Sequence, residues 1–193
     1  GMPLFDAICM SFGTAGTGGF AVSNAGISGY NSAYIEMVIA VFMVIFAVNF
    51  GIYYMILTKR FKDALKNEEL KIFFMIIVFQ VVLISVNVYH IYGSVGTTFR
   101  NVFFTVASII SSTGFGTADF NLWPEFSKVL LILLMFCGAC AGSTGGGMKV
   151  SRVIILVKSA FTEIAHTIHP KSITTVKIDG KKVSGETVKN VRA

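Results

Sequence analysis

Two short glycine-bearing segments have the residue types to hold a dehydrated cation on main-chain oxygens. They are Thr14-Ala15-Gly16-Thr17-Gly18-Gly19-Phe20 and Ser111-Ser112-Thr113-Gly114-Phe115-Gly116. An ion stripped of water needs oxygens in its place, and backbone carbonyls supply them without fixed charge, so the ion can also leave. Consecutive carbonyls turn toward one axis only in unusual backbone conformations, which glycine adopts without Cβ strain. On this chemistry Gly16, Thr17, Gly18 and Gly19, with Ser111, Ser112, Thr113 and Gly114, are the candidate ion-binding residues. The Thr113 hydroxyl can add one more oxygen. Taken singly, each segment also reads as a glycine-rich surface turn.

A third segment, Gly138 to Lys149, interrupts an apolar run with small residues. Five of the ten residues from Gly138 to Gly147 are glycine, each costing a helix about 1 kcal/mol against alanine. Polar groups freed at membrane depth must meet water or protein. The reading is a flexible gating loop beneath the carbonyl strands, formed by Gly138, Gly142, Ser143, Thr144, Gly145, Gly146, Gly147 and Lys149. Small residues also permit close helix packing. A phosphate loop would need Gly-Lys-Ser/Thr, whereas Met148 precedes Lys149 and Val150 follows it. Lys149 and Arg152 either act on ions in the inner vestibule or, more plainly, snorkel to the inner interface.

These segments need long apolar elements to position them. The chain is 54% hydrophobic and 13% charged over 193 residues, about half the charge of a soluble domain. Tyr34 to Leu57 and Ile72 to Ile91 are each long enough to span a bilayer as one helix. Val129 to Phe161 reads as one transmembrane helix broken in the middle. The net charge is +6, and fourteen of the sixteen Lys and Arg fall in Lys59–Lys71 and Lys149–Arg192. Two basic blocks between apolar spans are cytoplasmic by the positive-inside rule. The absence of basic residues interleaved with aromatics argues against nucleic-acid binding. The stretch Tyr92 to Lys128 is then external. Within it Phe99 to Ile110 is a helix too short to cross, about 18 Å at 1.5 Å per residue. Short helix then glycine-bearing strand is the pattern of a re-entrant loop.

An ungapped offset of 95 residues relates the two halves. It places Gly19-Phe20 on Gly114-Phe115, Asn24 on Asp119, Asn49 on Thr144 and Gly51 on Gly146. Each unit reads as short helix, glycine-bearing strand, outer loop and spanning helix. Such a unit cannot enclose a pore alone, since about four are needed around an axis. The chain therefore reads as a piece of a larger pore, or a subunit that assembles. Its opening, Gly1-Met2-Pro3-Leu4-Phe5-Asp6, has no basic signal-peptide region.

The remaining features have plainer readings. Cys137-x-x-Cys140 lies in an apolar run without a second pair, so both are small packing residues, and the odd count of three cysteines argues against a disulfide framework. Asp119 and Asn24 either attract cations at the outer mouth or cap local backbone. Asp6 and Asn101 are further polar residues beside the loop units. His90 is interfacial, and Trp123, Tyr30 and Tyr34 suit an outer aromatic belt. After His166 and His169-Pro170 come two short β-like runs, Ile173 to Ile178 and Lys182-Val183. Asp179-Gly180 between them is a hairpin signal. The tail is a small cytoplasmic element for contact with a regulatory partner, or a solvated connector.

At SFGTAGTGGF (Ser11 to Phe20), STGFGTADFNLWPEF (Ser112 to Phe126) and GACAGSTGGGMKVSRVIIL (Gly138 to Leu156), the chain resembles the TrkH branch of the TrkH/KtrB/HKT superfamily. The similarity continues through His169 to Ile178. It implies a potassium uptake protein of the bacterial inner membrane, with four helix–pore-helix–helix repeats and no enzymatic activity. The chain would match the second repeat from its pore helix onward and all of the third. Gly19 and Gly114 would be filter glycines. K⁺ would be the transported ion and the only metal at the filter, with no cofactor. The family works as a homodimer and binds a TrkA-like cytosolic nucleotide-binding subunit, so a nucleotide would bind the partner. The chain departs from the family in lacking the first and fourth repeats, with the pore-facing Arg of the fourth. It also carries Gly16-Thr17-Gly18 where relatives have bulkier residues.

The fold expected is an all-α integral membrane architecture with two re-entrant filter loops and one broken transmembrane helix. Residues 1–57 form a partial pore repeat and 58–71 a cytoplasmic loop. Residues 72–161 form a complete repeat with the gating loop at 138–148, and 162–193 a connector with a possible hairpin.

Overall fold

The computed structural model describes residues 1–168 and 175–192. The helices are α1 (Leu4–Ala15), α2 (Ala33–Phe46), α3 (Phe50–Leu57), α4 (Phe61–Lys66), α5 (Glu68–Tyr92), α6 (Val95–Ile110), α7 (Glu125–Cys137), α8 (Val150–Ile168) and α9 (Gly185–Arg192). A two-stranded hairpin, β1 (Lys177–Ile178) and β2 (Lys181–Lys182), lies between α8 and α9.

The 25 residues of α5 contain the expected span Ile72 to Ile91. Asn67 caps its start by accepting from the Leu70 N–H at 2.8 Å, and Gly93, with φ +63°, ends it. Along its middle the exposed side chains are apolar: Phe74, Met75, Val78, Phe79, Val82 and Val86. An apolar exterior is what lipid or neighbouring helices require. Among the described residues α5 alone is long and apolar enough to cross a membrane as one helix.

The short helix α6 lies between α5 and α2, with α7 against both α5 and α6. Eight of its residues are buried, including Val102, Phe104, Val106 and Ile110. A half-membrane helix packed on several sides is held as an internal strut, and its repeat counterpart α1 packs on α2. A charge pair ties α6 to α2: Arg100 Nε, half-buried, lies 3.1 Å from Oε2 of the buried Glu36. The contact is an ion pair, its geometry falling outside that of a hydrogen bond.

Tyr34 to Leu57 is not the single span expected from its composition. The helix breaks after Phe46, and α2 and α3 meet at 91°. The cause is local and tertiary together. Asn49 Oδ1 accepts from the Gly51 N–H at 2.7 Å and so starts a new helix. The groups freed at the break are then taken by the glycine-rich loop of the next unit. Ala47 O accepts from Cys140 N–H at 3.0 Å, Phe50 N–H donates to Gly142 O at 3.0 Å, and the Thr144 hydroxyl donates to Phe46 O at 3.3 Å. Each such group left unpaired would cost about 1–3 kcal/mol. Both apolar stretches that follow a glycine-bearing loop are therefore broken, not only Val129 to Phe161.

The hairpin forms where Asp179-Gly180 signals it, with φ of +50° and +75°. Its strands are Lys177–Ile178 and Lys181–Lys182, and Val183 N–H adds a bond to Val176 O at 3.0 Å. Asp179 fixes it to the start of α5, accepting from Glu68 N–H at 2.6 Å and Asn67 Nδ2 at 3.0 Å. Lys158 of α8 pairs with Glu68 and donates to Lys177 O. His169-Pro170 and Ile173 lie outside the described residues.

Candidate ion-binding loops and gate

The two candidate filter loops share one backbone geometry. Thr17 and Ser112, which correspond under the 95-residue offset, both have positive φ, +50° and +59°. Gly19 and Gly114 follow at +69° and +87°. The same three hydrogen bonds close each preceding helix. Gly16 N–H donates to Phe12 O as Ser111 does to Ala107 O. Thr17 donates to Thr14 O as Ser112 does to Ile109 O, and Gly18 to Gly13 O as Thr113 does to Ser108 O. A left-handed non-glycine residue costs of order 1–3 kcal/mol. Finding it twice at matched positions marks a backbone held in shape by its surroundings.

The consequence for ion chemistry is at the carbonyls. Among the described residues no hydrogen bond reaches the main-chain oxygens of Thr17, Gly18 and Gly19, or of Ser112, Thr113 and Gly114. The strands run side by side: a Cβ built on Gly19 would stand 1.9 Å from Thr113 O. Only a residue without Cβ fits there. Both short helices, α1 and α6, end at the start of their loops, so the partial negative charge of each C-terminus, about half an elementary charge, faces this region.

Behind the second strand lies a buried hydroxyl network. Ser108 Oγ donates to Phe115 O at 2.6 Å, and Ser111 Oγ lies 2.7 Å from Thr113 Oγ1. Thr113 is buried, so its hydroxyl braces the strand from behind instead of adding an oxygen on the free side. The Phe115 ring meets Gly13 of the first unit, 3.3 Å from where a Cβ would be. This locks the second loop onto the short helix of the first.

The glycine-rich segment sits against both loops. The Thr17 hydroxyl donates to Thr144 O at 3.0 Å. A Cβ on Gly145 would stand 2.9 Å from Ser111 O, and one on Gly146 3.5 Å from Ser112 Cβ. The segment folds back on itself, since a Cβ on Gly138 would meet Gly146 O at 2.7 Å and Met148 O at 2.9 Å. Its base closes through Val150 N–H to Ala139 O at 3.1 Å. Ser143 Oγ donates to Cys140 O at 2.6 Å. Lys149 is half-buried and donates to Gly145 O. It braces the loop and does not reach outward to the interface as expected, whereas Arg152 is exposed.

Two polar residues of importance were missed in the sequence. Glu69 is 6% exposed, and its Oε1 accepts from Ala141 N–H at 2.7 Å and Ser151 N–H at 3.0 Å, one on each side of the glycine run 142–147. Asn49 anchors the loop's receptor at the α2–α3 break, 3.1 Å from a Cβ on Gly142. The signals were an acidic residue at the first turn of a spanning helix and Asn two places before Gly. Of the outer residues, Asp119 caps local backbone, accepting from Asn121 N–H at 2.9 Å. Asp6 accepts from the Tyr30 hydroxyl at 2.6 Å. Trp123 is buried, donating to the Tyr92 hydroxyl at 3.1 Å, so it stands inside the fold and not in an outer belt. Cys137 and Cys140 are free thiols.

The whole arrangement has known relatives. The chain matches the cation transport protein family TrkH over residues 1–191. It belongs to the TrkH family. The Trk system potassium uptake protein TrkH of Salmonella typhimurium is 36% identical over 184 residues, 94% of this chain and 38% of that protein. The TrkG protein of Escherichia coli is 34% identical, over 99% of this chain and 40% of its own length. The crystal structure of the potassium transporter TrkH from Vibrio parahaemolyticus superposes with a TM-score of 0.93 at 34% identity, over 100% of this chain and 42% of that one. This TrkH-family chain thus spans about two fifths of the length of the curated relatives it matches. It is an all-α membrane protein whose apolar exterior and broken spans suit that setting.

Proposed function

We propose that this chain supplies two of the pore-lining units of a potassium uptake protein in the bacterial inner membrane, crossing it several times. The observation that carries the reading is the matched pair of strands with free carbonyls, side by side and packed against the glycine-rich loop. Residues Thr17 to Gly19 and Ser112 to Gly114 hold K⁺ through main-chain oxygens, with Gly16 and Ser111 opening each strand, where Gly16 O already accepts the Thr17 hydroxyl at 2.8 Å. Residues Gly138 to Lys149 act as the gate below them. Transport needs no covalent step, no organic cofactor and no metal besides the K⁺ carried. The relatives described above are potassium uptake proteins, which supports this reading.

Further units complete the pore. Phe115 is buried on Gly13, while its counterpart Phe20 is 83% exposed. A preceding unit of the same kind would cover Phe20 in the way the first unit covers Phe115. The complete protein forms a homodimer, each protomer with its own pore. It is regulated by a TrkA-like cytosolic nucleotide-binding subunit, for which the basic hairpin offers a cytoplasmic contact.

The test uses the full-length parent in cells lacking other potassium uptake. Gly19→Ala puts a methyl group against Thr113 O, and K⁺ uptake falls to background. Gly114→Ser meets no neighbour within 4 Å; it carries the left-handed penalty of about 1–2 kcal/mol and lowers K⁺ over Na⁺ preference with residual flux. Unchanged uptake in both variants would favour a membrane scaffold without transport. Nucleotide binding to this chain itself would favour a phosphate-binding enzyme.

A further inference from the structure

Glu69 is a buried carboxylate whose role the fold does not demand. Its helix is already capped by Asn67, and no ion pair to it occurs among the described residues. An uncompensated buried charge is costly unless hydrogen bonds satisfy it. Here the two donors are main-chain N–H groups on either side of the glycine run 142–147. Ser151 lies in the first turn of α8, where N–H groups lack helical partners and the dipole favours an anion. Ala141 lies at the other edge, next to Cys140, which is tied to Ala47 O. One oxygen atom thus joins the way into the loop to the way out of it.

We infer that Glu69 is a positioning residue for the gate, a latch that holds the loop 138–149 closed against the filter strands. The inference rests on reading that loop as the gate. It gives the loop two kinds of attachment. The tip contacts, Thr144 to Thr17 and Gly145 beside Ser111, set where the loop stands. The base contacts to Glu69 set how freely it swings, because the ten residues between Gly138 and Gly147 include five glycines and have little stiffness of their own. Charge-assisted bonds are about twice as strong as neutral ones. Loss of the carboxylate charge therefore loosens the base even where an oxygen remains. The filter strands are not among its partners: both Glu69 bonds go to Ala141 and Ser151, and among the described residues none reaches 16–19 or 111–114.

The experiment measures K⁺ flux and K⁺/Na⁺ preference for the purified full-length parent in liposomes. Glu69→Ala removes both bonds and raises basal K⁺ flux about tenfold. Glu69→Gln keeps an acceptor oxygen and raises it about threefold. Both leave ion preference and the K⁺ concentration for half-maximal flux at the parent values. Glu69→Asp, shorter but charged, falls between Gln and parent. Flux equal to the parent in both Ala and Gln variants overturns the latch, as does reduced flux or changed ion preference in the well-folded Gln variant. Gly19→Ala in the same vesicles separates the two failures. If it abolishes flux while the Glu69 variants behave as the parent, the latch alone falls. If it conducts normally, the pore reading falls with it.

Discussion

Single atoms decide where a side chain is allowed in this protein. Gly19 must lack one because Thr113 O occupies the Cβ position at 1.9 Å. Gly145 must lack one because Ala139 Cβ would lie at 2.3 Å and Ser111 O at 2.9 Å. Gly145→Ala should therefore displace the loop from the second strand and raise flux without altering ion preference, measured in the same liposome assay; a loss of selectivity with unchanged flux would contradict it. At this scale the sequence was partly legible. The glycines announced unusual backbone, because few other residues tolerate it. The side taken by the Thr113 hydroxyl was not legible, because a hydroxyl beside a carbonyl strand can face either way, and only the packing of Ser108 and Ser111 behind it decides. Glu69 was silent because its partners are main-chain groups more than seventy residues away.

At the scale of elements, the break between α2 and α3 is the informative departure. Composition made Tyr34 to Leu57 a continuous span, since hydropathy records only the cost of exposing side chains. It does not register that Cys140, Gly142 and Thr144 stand ready to take the backbone groups freed by a bend. The 95-residue offset offered the missing clue, because it sets Asn49 on Thr144 and Gly51 on Gly146, within the recognised break of the second unit. The ion pair between α6 and α2 permits a direct test. Arg100→Met leaves Glu36 buried without a partner, and Arg100 is itself one-third exposed. The loss should sit at the lower end of about 3–5 kcal/mol, seen as a lower melting temperature in detergent. Adding Glu36→Gln should recover most of it. A double variant as unstable as the single would place the cost in packing and not in charge.

At the scale of the described molecule, the hairpin and the glycine-rich loop are both tied to one helical turn at the start of α5. Asn67 and Glu68 hold the hairpin, and Glu69 bonds the glycine-rich loop. A hairpin with two-residue strands has little stability alone, so its docking through Asp179 to α5 keeps it folded. Asp179→Ala should speed hydrogen exchange at the Val183 amide, which is bonded to Val176 O, while amides of α6 remain protected. Equal exchange in variant and parent would show that the hairpin stands by itself. The hairpin was legible from Asp179-Gly180, and its docking was not, because that depends on where α5 begins. Membrane class and the repeat were legible because both are carried by long periodic patterns. The central claim remains that main-chain oxygens of Thr17 to Gly19 and Ser112 to Gly114 take the place of water around K⁺. Anomalous diffraction from crystals of the full-length parent soaked in rubidium tests it most directly. The account predicts a peak within coordination distance of carbonyls from both strands; strong peaks elsewhere with none between these strands would contradict it.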